Sequence, residues 1–203
     1  RSPQIKYLLP KRHTFGKMTM EIKDNKGEVV SKLSPGKSKG INIVSWSGNI
    51  KQPKVAKGKT LAFGGFTTPR VQAGTYTAVI TKGREVYEHD FEIIYDKRSS
   101  LTPEDRKMKH DVISKMYKMT EELAYMVYQI DAFIEAPETK SKLKSKLNEL
   151  KKTLVITTGD NYVGSAEPEL REKIADLFSK IVGSYDKPSN SELDFLSIVE
   201  NRY

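Results

Sequence analysis

The chain has 203 residues, 37% hydrophobic and 30% charged, which supplies apolar core for one large domain or two small ones and argues against wholesale disorder. No run approaches the roughly 20 uninterrupted apolar residues of a membrane helix, and the lack of cysteine excludes disulfides, thiolate metal sites and cysteine nucleophiles. The net charge of +9 is uneven: residues 1–97 hold 18 Lys/Arg against 8 Asp/Glu, and residues 98–203 hold 17 against 18, which hints at two units and places any anion-binding role on the first.

The chain opens Arg1-Ser2-Pro3, with no initiator Met and no charged segment leading into an apolar one. We therefore expect a processed piece of a longer protein, with any targeting signal out of view. Met18, Met20 and Ile22 alternate with polar residues, Asp24-Asn25-Lys26-Gly27 forms a turn cluster, and Val29-Val30 begins a return strand. Ile41 to Trp46 is the next β run, with the only Trp at its end. Residues 47–59 read as a Lys-rich loop, and Leu61 to Thr67 as a short strand interrupted by Gly64-Gly65. Thr75 to Ile80 places Tyr76, Ala78 and Ile80 on one face, Lys82-Gly83 turns the chain, and Phe91, Ile93 and Tyr95 alternate on the way back. About seven short strands with turn signals between them predict an antiparallel β-sandwich over residues 1–97.

The period then changes from two to 3.6. Thr102-Pro103-Glu104-Asp105 is a helix start, with Thr102 as cap, Pro103 in the first turn and acids at the positive end of the dipole. Met108, Val112, Met116, Met119, Leu123, Val127, Ile130 and Ile134 form one apolar stripe, ended by Pro137. A second helix carries Leu143, Leu147, Leu150 and Leu154, and Thr157 to Ser165 reads as a loop. A third helix, starting near Pro168, presents Leu170, Ile174, Leu177 and Ile181 and stops at Gly183. Ser189 and Glu192 form a capping box for a fourth, which we expect to run on to Tyr203, with the chain either cut short there or disordered in its last turns. Residues 98–203 thus predict an antiparallel three- to four-helix bundle.

Two stretches resemble a known family. Gly40-Ile41-Asn42-Ile43-Val44-Ser45-Trp46 and Thr68-Pro69-Arg70-Val71-Gln72-Ala73-Gly74-Thr75-Tyr76-Thr77 are similar to the immunoglobulin/fibronectin-like domain that follows sortilin-like (BNR-repeat) β-propellers in secreted bacterial proteins. The junction Tyr95-Asp96-Lys97-Arg98 and the tail segments Leu170-Arg171-Glu172-Lys173 and Asp186-Lys187-Pro188-Ser189 also match that pattern. The chain departs from it at Ser47, where the family has an acid, and at Ala73, where it has Pro. The resemblance implies a non-catalytic accessory region that docks on an upstream β-propeller of the same polypeptide, needs no cofactor, and is secreted, periplasmic or on the cell surface. The glycosyl-hydrolase label of such proteins belongs to the propeller, whose S-x-D-x-G-x-T-W box does not occur here. An alternative is that this region completes the active site of a sialidase-like propeller.

Reading the residues for chemistry gives few candidates. His13, His89 and His110 lie far apart, with no metal-ligand spacing, and read as ordinary boundary histidines. Gly64-Gly65 lacks the Lys and the helix of a phosphate loop. Glu85, Glu88, Asp90 and Glu92 lie on one strand run, where paired carboxylates could run glycosidase chemistry. Alternation instead turns Glu88, Asp90 and Glu92 toward solvent. Lys37, Lys39, Lys51, Lys54, Lys57 and Lys59 read either as solvated loop residues or as a surface for anionic glycan, lipopolysaccharide or nucleic acid. No aromatics for base stacking are interleaved with them, which disfavours nucleic acid. Trp46 reads as a core indole or as a sugar platform. Tyr117, Tyr125 and Tyr128 flank the first helix and read as packing residues or as a docking surface.

Overall fold

A computed structural model describes residues 2–59, 68–158 and 166–202 of the protein. Its elements run β1 (Gln4–Leu9), β2 (Met18–Lys23), β3 (Val29–Leu33), β4 (Gly40–Ser45), β5 (Gly74–Lys82), β6 (Glu85–Ile93), then α1 (Pro103–Glu135), α2 (Ser141–Leu154), α3 (Leu170–Gly183) and α4 (Asn190–Glu200). The strands form two antiparallel sheets, β1-β4 and β3-β2-β5-β6. The architecture is therefore mixed, β followed by α. The strand expected over Leu61 to Thr67, with Gly64-Gly65, lies outside the described residues, and so does most of the loop expected over Thr157 to Ser165.

Local chemistry explains the hairpins. Asp24 Oδ1 accepts from the backbone N–H groups of Lys26 and Glu28, both at 2.9 Å, and Gly27 takes φ 84° to close the β2–β3 turn. The β5–β6 turn uses Gly83 at φ 63°, with Lys82 and Glu85 paired across it at 2.7 Å. Along β2, Met18, Met20 and Ile22 are all buried, as the alternation requires.

The helices also start where their caps dictate. Thr102 accepts from Asp105 N–H and Asp105 accepts in return; Ser189 and Glu192 do the same at α4. On α1 the stripe buries Met116, Met119, Leu123, Val127 and Ile130, whereas Met108 is exposed. One correction concerns α4, whose last helical residue is Glu200. Asn201 N–H reaches both Ser197 O and Val199 O, and Arg202 N–H bonds to Val199 O, so the last turn tightens to the shorter i→i−3 pattern and stops.

The chain divides into two compact units, residues 1–51 with 69–99, and residues 52–68 with 100–203. The expected boundary at 97/98 falls beside the observed junction. The sequence pattern does not show that segment 52–59, between β4 and β5, belongs to the second unit. The reason is burial: Ala56 belongs to the same apolar core as Met116, Leu123, Ile174 and Leu177. Backbone bonds fix the segment there, with Lys59 N–H donating to Ile156 O at 2.7 Å and Lys54 N–H donating to Glu121 Oε1 at 3.3 Å.

The first unit has its own core. Ile22, Trp46, Tyr76 and Ala78 form its centre, with Ile5, Leu33, Val71, Phe91 and Ile93 packed around them. Both sheets contribute side chains to it.

Candidate functional site

The most distinctive surface of the first unit is the outer face of the β1–β4 ribbon. Alternation turns Ile5, Tyr7 and Leu9 of β1 and Asn42 and Val44 of β4 inward, which leaves Gln4, Lys6 and Leu8 beside Ile41, Ile43 and Ser45 outside. Leu8 pairs with Ile41 and Lys6 with Ile43 in the register. Leu8 is 67% exposed, Ile41 73% and Ile43 55%. Three aliphatic side chains thus form a row on a two-stranded sheet. Neither strand has a second neighbour among the described residues.

The ribbon is held rigidly from within. Tyr7 Oη donates to Gly36 O at 2.6 Å, and burial pushes its hydroxyl pKa up. Buried Asn42 donates through Nδ2 to Ser38 O at 2.9 Å and Gly40 O at 3.1 Å, and accepts from Ser38 N–H at 3.3 Å. A Cβ on Gly36 would collide with the Asn42 side chain, so the β3–β4 connection needs glycine there. Trp46 N–H extends the ladder to Pro3 O at 3.0 Å.

Trp46 itself is a core residue. Its indole is 2% exposed and donates through Nε1 to Asn49 O at 3.1 Å. It packs edge-on against Tyr76 at 5.9 Å and Phe91 at 6.0 Å between ring centres. An indole enclosed in this way has no free face for a sugar, which removes the platform reading. Tyr76 Oη donates to Gln72 O at 2.9 Å, tying the start of β5 to the segment before it. Burial, assisted by the charge of Asp24, raises its pKa.

The six lysines are shared between the two units. Lys37, Lys39 and Lys51 belong to the first unit, Lys54, Lys57 and Lys59 to the second, and all six are exposed. The acids of β6 lie where alternation put them: Glu88, Asp90 and Glu92 are exposed, and Thr77 Oγ1 donates to Asp90 at 2.7 Å. Glu85 is held below the usual carboxylate range by its bond to Lys82. His13 follows β1, His89 stands exposed on β6, and His110 lies on α1. Among the described residues only His110 has a polar side chain within hydrogen-bonding distance, Ser114 Oγ at 3.2 Å from Nε2. The two are one helical turn apart, and the neighbouring Asp111 is engaged by Lys107 at 2.7 Å, so no third group orients the ring. Burial lowers the His110 pKa. Among the described residues no three His, Asp or Glu side chains are grouped to hold a metal ion.

Two features escaped the linear reading. The first is β1, whose strand character is hidden because Leu8 and Leu9 place apolar residues on both faces next to Pro10. The second is the buried pair Arg171–Glu172 at the start of α3. Arg171 Nε donates to Glu172 Oε1 at 2.7 Å and Nη1 to Ala56 O at 3.0 Å. Gly58 passes so close over the guanidinium that any Cβ there would collide with it. This pair clamps segment 52–59 to the helices. It is a structural device, and no sequence signal short of the contact reveals it. Of the flanking tyrosines, Tyr125 and Tyr128 are exposed, and Tyr117 packs against the helical core.

The chain matches no protein-family model, no curated protein and no solved structure. The likeness to the region that follows sortilin-like propellers therefore rests on the quoted motifs alone. No helix among the described residues is long and apolar enough to cross a membrane.

Proposed function

We propose that this chain is a non-catalytic interaction region, an immunoglobulin/fibronectin-like sandwich followed by a helical bundle, which docks on a larger folded partner through the outer face of β1 and β4. The observation that carries this reading is the row Leu8, Ile41 and Ile43, exposed on a ribbon whose backbone is fixed from within. Exposed aliphatic side chains on a rigid ribbon suit partner contact, through side-chain burial or through strand addition. The sandwich reading is supported by one core fed from both sheets. It is supported also by the hydrogen bond from Tyr76 to a carbonyl four residues upstream, the kind of tyrosine corner found in immunoglobulin-like domains. The partner that the motif resemblance implies is a β-propeller of the same polypeptide in a secreted protein.

Amide hydrogen exchange tests this reading by comparing protein from the native source with the isolated chain. Protection of β1 and β4 in the native protein and its loss in the isolated chain are expected. Leu8→Lys with Ile41→Lys should abolish the protection and leave the melting temperature within a degree or so, because both side chains are exposed. Equal exchange in the two preparations overturns the docking reading. An immunoblot against this chain examines the parent separately: a band well above 23.0 kDa supports the same-polypeptide partner, and a band at 23.0 kDa overturns it.

A further inference from the structure

We infer that the exposed edge of α2 is a contact site for an anionic lipid surface. The charge of the second half is strongly segregated. Residues 140–154 hold six lysines against one glutamate, while the rest of 98–203 holds 11 Lys/Arg against 17 Asp/Glu. A near-neutral sum thus conceals a compact basic helix in an otherwise acidic half of the sequence.

The helix is only partly used by the fold. Leu154 is buried and Leu147 packs on the core, whereas Leu143 and Leu150 of the same stripe remain 48% and 47% exposed. Lys151 is engaged by Asp131 of α1, and Lys152 by Glu149. Lys140, Lys142, Lys144 and Lys146 make no ion pair among the described residues. Helical spacing sets Lys146 three residues after Leu143 and four before Leu150, with Lys142 one turn behind it. The open edge therefore alternates leucine and lysine at one level on the helix.

This pairing selects the partner class. A nucleic acid backbone calls for cations and gains nothing from half-exposed leucines, and α2 has no arginine and no aromatic ring to read or stack on bases. An anionic bilayer answers both features, with headgroup charge for the lysines and the acyl boundary beneath it for the leucines. The inference is independent of the β1–β4 surface.

The test is co-sedimentation of the 203-residue chain with phosphatidylcholine vesicles with and without phosphatidylserine. Binding only to the phosphatidylserine vesicles, weakened by salt, is expected. Replacing Lys142 and Lys146 by Gln should weaken it about fivefold per lysine. Leu143→Ser with Leu150→Ser should weaken it further while the chain remains folded, as amide protection of α1 and α3 would show. Four outcomes overturn the site: no binding at low salt, equal binding to pure phosphatidylcholine, insensitivity to the α2 lysines, or loss of binding on Lys37→Gln with Lys39→Gln. Wild-type binding by the leucine variant, together with competition by duplex DNA, overturns the lipid assignment in favour of a nucleic acid.

Discussion

The two units solve the same problem with different materials. The first closes its core on three rings, Trp46, Tyr76 and Phe91, set at tilted and edge-on angles, with small or slender residues such as Ala78 and Ile22 beside them. The second spreads its core over many aliphatic and methionine side chains from α1, α3 and α4, joined by Leu154, Val155 and the borrowed Ala56. Aromatic rings carry large buried area per residue and prefer defined mutual angles, so a few of them can organise a small sheet core. A helical stripe distributes the same burden over many interchangeable positions. The difference predicts a brittle first unit and a more tolerant second one.

The comparison breaks most directly at Trp46. Trp46→Ala should cost about 3–5 kcal/mol or more, a large part of what a small unit has in total. The expected readout is loss of amide protection throughout β2 and β5. Leu123→Ala, in the helical core, should cost about 2–5 kcal/mol and lower the melting temperature while α1 stays helical. A Leu123 variant more disrupted than the Trp46 variant would reverse the comparison.

The clamp on segment 52–59 comes next. Arg171→Ala deprives buried Glu172 and the Ala56 carbonyl of their cation, which should cost about 3–5 kcal/mol. Exchange at Lys54 and Lys59 should rise, because their backbone bonds to the helical unit would loosen. Arg171→Met with Glu172→Met should recover part of the stability, since both charges leave together while the Ala56 carbonyl still lacks its donor. A single variant as stable as wild type would show that the pair does not hold the segment.

Tyr76→Phe is a finer probe. It keeps the ring in the aromatic cluster and removes only the bond to Gln72 O, so a loss of about 1 kcal/mol is expected by denaturant titration followed through Trp46 fluorescence. A loss as large as that of Trp46→Ala would move the weight from ring packing to the hydroxyl.

The smallest expected effect is a pH dependence in the second unit. Burial depresses the His110 pKa in the fold below its ordinary 6.5. Above that value both folded and unfolded states hold a neutral ring. As pH falls through it, the unfolded chain takes up the proton first, so stability declines until the folded-state pKa is passed. His110→Gln should flatten the melting temperature between neutral and mildly acidic pH, and an unchanged slope would exclude His110 as its source.

Much of this architecture was legible in the residues. The alternation of Met18, Met20 and Ile22 fixes which face of β2 is buried, because the side-chain period of a strand is two whatever surrounds it. The caps at Thr102 and Ser189 mark helix starts because their bonding partners lie three residues away. Local chemistry of this kind needs no tertiary context. The surfaces were less legible. The six loop lysines are close in sequence, and three of them belong to each unit. Lys142, Lys146, Leu143 and Leu150 passed as an ordinary helix because a near-neutral half concealed their segregation.

By itself the sequence determined the change from strand to helix near residue 100, the hairpin turns, the helix caps and the apolar stripes, since each depends on residues within a turn or two of one another. Only the tertiary structure decided that Trp46 is enclosed, that Leu8, Ile41 and Ile43 are left outside, and that segment 52–59 packs with the helices. Each of those outcomes depends on groups far apart in the chain, such as Arg171 meeting Ala56 across 115 positions, and no local pattern encodes such a meeting.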